Sequence, residues 1–130
     1  MAERKPQIWI VEEDELLGDI TTFRLELLGY DVHWCRSGEA VLKSIADELP
    51  DLIIVDSVLP DMGSIQLLDR LSNDQRTSVV PVMVLSIDAD LDVVQRAFSA
   101  GAKDYLVTPY DPVVLERKIE RLLTAVAARH

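Results

Sequence analysis

Short apolar runs alternate along this chain with longer segments in which apolar residues recur at helical spacing. Gln7 to Val11 opens the series with Ile8-Trp9-Ile10-Val11, an unbroken run of the kind that fits a strand covered on both faces. Leu16, Ile20, Phe23 and Leu27 then mark the apolar face of a helix, with Leu17, Leu25 and Leu28 widening the stripe and Gly29 supplying a stop. Asp31 to Cys35 reads as a second strand. Ser37 is a candidate cap for a helix carrying Val41, Leu42, Ile45 and Leu49, which Pro50 ends before a third strand over Leu52 to Val55. After a loop through Pro60 to Gly63, Ser64 is a candidate cap for a helix presenting Ile65, Leu68 and Leu71, and Asn73 to Ser78 is polar and loop-like. Pro81 to Leu85 forms a fourth strand ending at Ser86. Leu91, Val94, Ala97 and Phe98 mark a fourth helix stopped at Gly101, and Tyr105 to Val107 a fifth strand. Asp111-Pro112 is a cap followed by a first helical position, opening a last helix with Leu115, Ile119, Leu122 and Val126 on one face. Strict alternation of strand and helix predicts an α/β fold with a five-stranded parallel sheet, doubly wound.

The apolar runs end in acid. Asp56 stands directly after Leu52-Ile53-Ile54-Val55, and Glu12, Glu13 and Asp14 follow the first run. If these two strands are neighbours, several carboxylates converge at the carboxyl edge of the sheet, where open α/β sheets place their ligands. Carboxylates so placed suit a hard divalent cation, and one beside a bound cation can act as a phosphoryl acceptor. The plainer reading is an acidic loop leading into a helix, because carboxylates favour helix N-termini.

Composition narrows the classes. At 130 residues, 48% hydrophobic and 28% charged, the chain has the mixture of one globular domain, expected over 1–130 with its core over about 7–124. A net charge of −10 argues against nucleic-acid binding by this domain and against anionic membrane surfaces. The lone Cys35 excludes an internal disulfide. With no apolar stretch near ~18 residues and no signal-peptide core in Met1 to Pro6, a cytoplasmic location is expected. His33 and His130 lack partners at ligand spacing, and Trp9 and Trp34 read as strand residues packed against helices. Arg117, Lys118 and Arg121 give the last helix a basic face, either solvated or part of a homodimer through the last helices.

Seven stretches in order carry a family likeness: Ile8-Trp9-Ile10-Val11-Glu12-Glu13-Asp14, Leu28-Gly29-Tyr30-Asp31-Val32, Ser37-Gly38-Glu39-Ala40, Pro50-Asp51-Leu52-Ile53-Ile54-Val55-Asp56, Leu59-Pro60-Asp61-Met62, Pro81-Val82-Met83-Val84-Leu85-Ser86, and Ala100-Gly101-Ala102-Lys103-Asp104-Tyr105-Leu106. Over nearly its whole length the chain resembles the receiver domain of two-component response regulators. The resemblance implies a flavodoxin-like (βα)5 fold. It also implies phosphoryl transfer from a histidine kinase to Asp56 with Mg²⁺, held by Glu12, Glu13, Asp56 and the Val58 carbonyl. Ser86 matches the hydroxyl that contacts the phosphoryl group, Tyr105 the aromatic that turns inward on activation, and Pro109 a proline after a cis peptide bond. A partner signalling protein and an output domain C-terminal to the chain are implied as well.

Four departures cluster at the active end. Thr108 stands where the family carries a lysine that pairs with the acceptor carboxylate and then with the phosphoryl oxygens. For unit charges ~4 Å apart at an effective dielectric near 20, the missing attraction is on the order of 4 kcal/mol before desolvation. Lys103 lies before the strand and is not expected to substitute. Glu13 replaces an aspartate, which matters because Mg²⁺ demands near-octahedral oxygens. Ile87 replaces a small residue and is expected to narrow access to Asp56. Gly63 falls one position early, so a loop needing positive φ there would be reshaped.

Two readings follow. In one the domain is an atypical receiver, an interaction module with weak or no Asp56 phosphorylation and weak Mg²⁺ binding. In the alternative it is a conventional Mg²⁺-dependent switch phosphorylated on Asp56. A free-standing enzyme has little support: Asp56 is followed by Ser57 and Val58, so it does not open an Asp-x-Asp arrangement, and there is no Gly-x-x-x-x-Gly-Lys loop and no Ser/His/Asp order.

Overall fold

The structure, a computed structural model, describes residues 4–127, and its elements alternate as the pattern predicts. They are β1 (Gln7–Val11), α1 (Glu15–Leu27), β2 (Asp31–Cys35), α2 (Gly38–Ile45), β3 (Leu52–Asp56), α3 (Ser64–Ser72), β4 (Val82–Ser86), α4 (Leu91–Ala100), β5 (Asp104–Val107) and α5 (Pro112–Ala127). The strands form one parallel sheet in the order β2-β1-β3-β4-β5. This is the flavodoxin-like doubly wound arrangement, and the winding reverses between β1 and β3. The predicted roles of Val126 and His130 lie outside the residues whose side chains are described.

Alternation along the strands divides the core in two. Trp9, Val11, Ile53, Val55, Val82, Val84 and Tyr105 face one side with α2, α3 and α4. Ile8, Ile10, Leu52, Ile54, Met83 and Leu106 face the other, where Leu25 of α1 and Leu115, Ile119 and Leu122 of α5 cover them. The central strands are buried on both faces, which is why they read as continuous apolar runs.

Several local signals act as expected. Ser37 accepts from the Ala40 N–H and Asp111 from the Val113 N–H, while Gly29 and Gly101 take positive φ at the ends of α1 and α4. Others do not. Ser64 is the first residue of α3 rather than its cap; Gly63 takes that place with φ −73° and no side-chain bond. No positive φ is needed there, because the Asp61 carboxylate accepts from the Gly38 and Glu39 N–H groups and Met62 lies against Gly38. Those Glu39 and Gly38 bonds also hold the Asp61 carboxyl below the usual range. On α4, Leu91 and Phe98 are exposed, and the small Ala97 and Ala100 make the contact that helix packing requires.

The largest correction concerns α1. Leu16, Phe23 and Leu27 are 68%, 64% and 71% exposed, and Ile20 is also open to solvent. The face turned to the sheet carries Gly18 and Leu25 instead. The cause is Trp34, whose indole lies so close to the helix that a Cβ on Gly18 would overlap its six-membered ring. Arg36 stacks over the same indole, 4.1 Å from the ring.

Gly18→Ala must displace Trp34 or lift α1, an overpacking of a kind worth about 1–3 kcal/mol. Urea unfolding should show a loss near the top of that range, largely relieved when Trp34→Leu is added.

Candidate functional site

Parallel strands bring their carboxyl ends to one edge, and the register aligns them. Val11 pairs with Val55, Asp56 with Leu85, and Ser86 with Val107. Glu12 therefore follows β1 beside Asp56 at the end of β3, with Ser86 at the end of β4 and Thr108 just past β5. These residues, with Glu13 and Val58, line one cleft of about 830 Å³ between α1 and the segment joining β5 to α5. Thus the predicted residues are gathered, with one exception: Tyr105 lies off the cleft, in the core beneath α4.

Backbone groups orient most of them. Asp56 Oδ1 accepts from the Val58 N–H at 2.8 Å, and the Ser57 N–H donates to the Leu85 carbonyl at 2.8 Å. Ser86 is buried, and its Oγ accepts from the Asp88 N–H at 3.0 Å. The Thr108 N–H donates to the Ser86 carbonyl at 2.8 Å, and the peptide bond from Thr108 to Pro109 is cis, as the resemblance implied. Tyr105 points inward, donating its hydroxyl to the Asp88 carbonyl at 2.8 Å. Asp88 is thus held at its N–H by Ser86 and at its carbonyl by Tyr105.

The electrostatics of the cleft are one-sided. Partial burial, and next a side-chain hydrogen bond with Asp56, push the Glu12 carboxyl up to about 7. Two carboxylates that near each other without a cation share a proton more readily than they both ionise. Asp14 has a structural role: it caps α1, accepting from the Leu17 N–H, while its own N–H donates to Glu12 Oε2. Among the described residues the only Lys or Arg lining the cleft is Arg24, whose Nη1 donates to the Tyr110 hydroxyl at 3.1 Å. Lys103 sits at the opposite end of the sheet, its N–H donating to the Val82 carbonyl. Lys118 is held by Asp104 at 2.7 Å, so it is not a free member of a basic helix face. Ile87 is 83% exposed and stands at the lip of the cleft, leaving the space over Asp56 open.

A metal fits in part. Glu12 and Asp56 supply the oxygen chemistry a hard cation takes. Glu13 is exposed, and among the described residues no group of three or more His, Cys, Asp or Glu side chains gathers to hold a metal.

The sequence reading missed two contributors. The Trp34 indole N–H donates to the Glu12 carbonyl at 2.8 Å, so a strand tryptophan positions the acidic loop. Arg24 and Tyr110 close the far end of the cleft. Neither has a signal in its own neighbourhood, because each depends on a contact between distant segments. Cys35 is buried, and burial pushes its thiol up to about 11, which keeps it out of nucleophilic chemistry.

A profile of the response regulator receiver domain matches residues 8–120. The chain is 31% identical over 118 residues to the DNA-binding dual master transcriptional regulator RpaA of Synechocystis, covering 91% of this chain and 49% of that protein. It is 34% identical over 115 residues to the transcriptional regulatory protein CrdR of Helicobacter pylori, covering 88% and 54%. The chain therefore spans about half the length of these relatives. Among solved structures, the signal receiver domain of a signal transduction histidine kinase from Syntrophus aciditrophicus superposes with a TM-score of 0.87 at 31% identity, covering 93% of this chain and 92% of that one.

Glu12 gives a pH signature. Its folded-state pKa lies above the unfolded value, so its contribution to stability is full below the unfolded value of 4.5 and is lost as pH rises through about 7. Glu12→Gln, which keeps the neutral form, should be more stable than the parent at pH 8 by on the order of 1 kcal/mol, or about 4 °C in melting temperature, after discounting for solvent screening. Thermal melts should show that gap closing towards pH 4.5.

Proposed function

Since the chain belongs to the response regulator receiver family, we propose that it works in two-component signalling as an atypical receiver, a protein-interaction module in which Asp56 is weakly phosphorylated or not at all. The observation that carries this reading is Thr108 at the cleft: among the described residues no lysine lines it, and its one arginine, Arg24, is bonded to Tyr110. Phosphoryl transfer depends on preorganised positive charge around the transferring group, and a threonine hydroxyl offers one hydrogen bond and no charge. The bonding of Asp88 supports a single conformation for the partner to read, because Tyr105 is already inward and Ser86 already engaged.

In this assignment Asp56 holds the phosphoacceptor position, Ser86 the hydroxyl position, Thr108 the former lysine position and Tyr105 the switch position. Receiver domains generally bind Mg²⁺. Here Glu12, Asp56 and the Val58 carbonyl, with Glu13 at the margin, would hold it weakly and let it screen the carboxylates. The partner is a histidine kinase or another signalling protein. Relatives named as transcriptional regulators are about twice as long, which supports an output region beyond this receiver. No helix of the described residues is long and apolar enough to cross a membrane.

A second reading keeps the conventional switch. It is favoured by the open cleft, in which Asp56 and the Ser86 hydroxyl face the same space.

Incubation with acetyl phosphate, with and without Mg²⁺, followed by intact-mass analysis separates the two. The atypical receiver should give little or no adduct, and Thr108→Lys should raise the yield about tenfold or more. A Mg²⁺-dependent adduct on the parent protein that disappears in Asp56→Asn would establish the conventional switch instead.

A further inference from the structure

The cleft carries opposite charges at its two ends. Glu12 and Asp56 stand at the sheet end, with Thr108 beside them. Arg24 and Tyr110 close the other end, where Arg24 Nη1 donates to the Tyr110 hydroxyl at 3.1 Å and the guanidinium carbon lies 5.7 Å from the ring centre. That partner is neutral. Among the described residues the ion pairs are made by Arg4, Arg36 and Lys118, so the half-buried Arg24 has no carboxylate against it. A guanidinium presents a planar fork of N–H donors, and a single neutral acceptor leaves most of them unspent. Arg24 stands ten residues after Asp14, about 15 Å of helix rise. Helical side chains lean back towards the N-terminus, which brings the guanidinium nearer the acids than that. Between the two ends the walls are apolar: Leu17, Ile20, Val58 and Pro109 line the cleft, and the first three are exposed.

Resting on the reading that no lysine answers Asp56, we propose that the cleft binds a small zwitterion of the ω-amino acid kind, its protonated amine between Glu12 and Asp56, its aliphatic body along the apolar walls and its carboxylate on Arg24. A cleft of about 830 Å³ has the size that holds a small organic molecule, about 300–1,000 Å³. The lining decides the class. A bare metal ion uses only the acidic end and leaves the apolar walls and Arg24 unmatched. A wholly apolar molecule strips water from the carboxylates and the guanidinium and returns no hydrogen bond to either, which is costly. A molecule charged at both ends gives each a charge-assisted partner, and the fork of Arg24 suits a carboxylate. Its aliphatic middle covers Leu17, Ile20 and Val58, which otherwise stay open to water. An ammonium so placed occupies the space over Asp56, so such a ligand and a phosphoryl group exclude each other. The domain then has an input that does not pass through a kinase, and ligand binding is linked to the state of Asp56.

The test uses the full chain without phosphodonor or Mg²⁺, with affinity read by isothermal titration calorimetry and location by amide NMR shifts. The probes are ω-aminooctanoate, n-octylamine, which keeps only the cation, and octanoate, which keeps only the anion. ω-Aminooctanoate should bind saturably, roughly tenfold or more tightly than either, and shift amides around both Asp56 and Arg24. Arg24→Gln, checked for folding by circular dichroism, should bring ω-aminooctanoate down to the affinity of octylamine and leave octylamine unchanged. Asp56→Asn should weaken ω-aminooctanoate and octylamine alike and leave octanoate unchanged. Octylamine binding as tightly as ω-aminooctanoate, or a preference that survives Arg24→Gln, overturns recognition of the anion. Octanoate binding as tightly overturns recognition of the amine, and no binding of any probe at millimolar concentration overturns the site. If Arg24→Gln does not fold, the order of the three probes on the parent protein decides. None of these outcomes depends on whether Asp56 accepts a phosphoryl group, which intact mass reads separately, so failure here is distinct from failure of the atypical-receiver reading.

Discussion

The Trp34 indole sets which face α1 turns to the sheet. It is too bulky to share its place with a side chain from α1, so the helix meets it with Gly18 and is rotated about its axis accordingly. That rotation buries Leu25, turns Leu16, Phe23 and Leu27 outward, and leaves Leu17 and Ile20 as a wall of the cleft. The same indole holds the Glu12 carbonyl, so the helix orientation and the acidic loop are fixed by one side chain. A change at Trp34 is therefore felt in packing and in the site together.

Around that constraint the parallel sheet does what its geometry dictates. Register delivers Glu12, Asp56, Ser86 and Thr108 to a single edge, where partial burial and then the hydrogen bond with Asp56 raise the Glu12 carboxyl. The positive groups that could answer are committed elsewhere: Arg24 to Tyr110, Lys118 to Asp104, and Lys103 to the far end of the sheet. Among the described residues no lysine or arginine is paired with the carboxylates at this edge.

On the other face, the loop after β4 is tied at the N–H and the carbonyl of one residue, Asp88, by Ser86 and Tyr105. The Ser86 hydroxyl and the Tyr105 hydroxyl are thus bonded to the same residue. This arrangement joins the cleft to the α4–β5 surface through two hydrogen bonds, each in a setting where loss of a partner leaves a polar group short of a bond.

The order of elements, the doubly wound sheet and the residues at its carboxyl edge were legible in the chain, because burial on both faces demands continuous apolar strands and strand ends demand polar ones. Helix caps at Ser37 and Asp111 were legible for the same local reason. The facing of α1 was not. A helix with leucines on several sides carries no record of which side meets the sheet, and that was decided by an indole contributed from β2. Nor could sequence separate Glu12, which is hydrogen-bonded with Asp56, from Asp14, whose carboxylate caps a helix, since both are acids in one loop. Local pattern determined which elements form; contacts between distant segments decided which surface is core, which is cleft and which stays exposed, because steric exclusion and charge coupling act through space rather than along the chain.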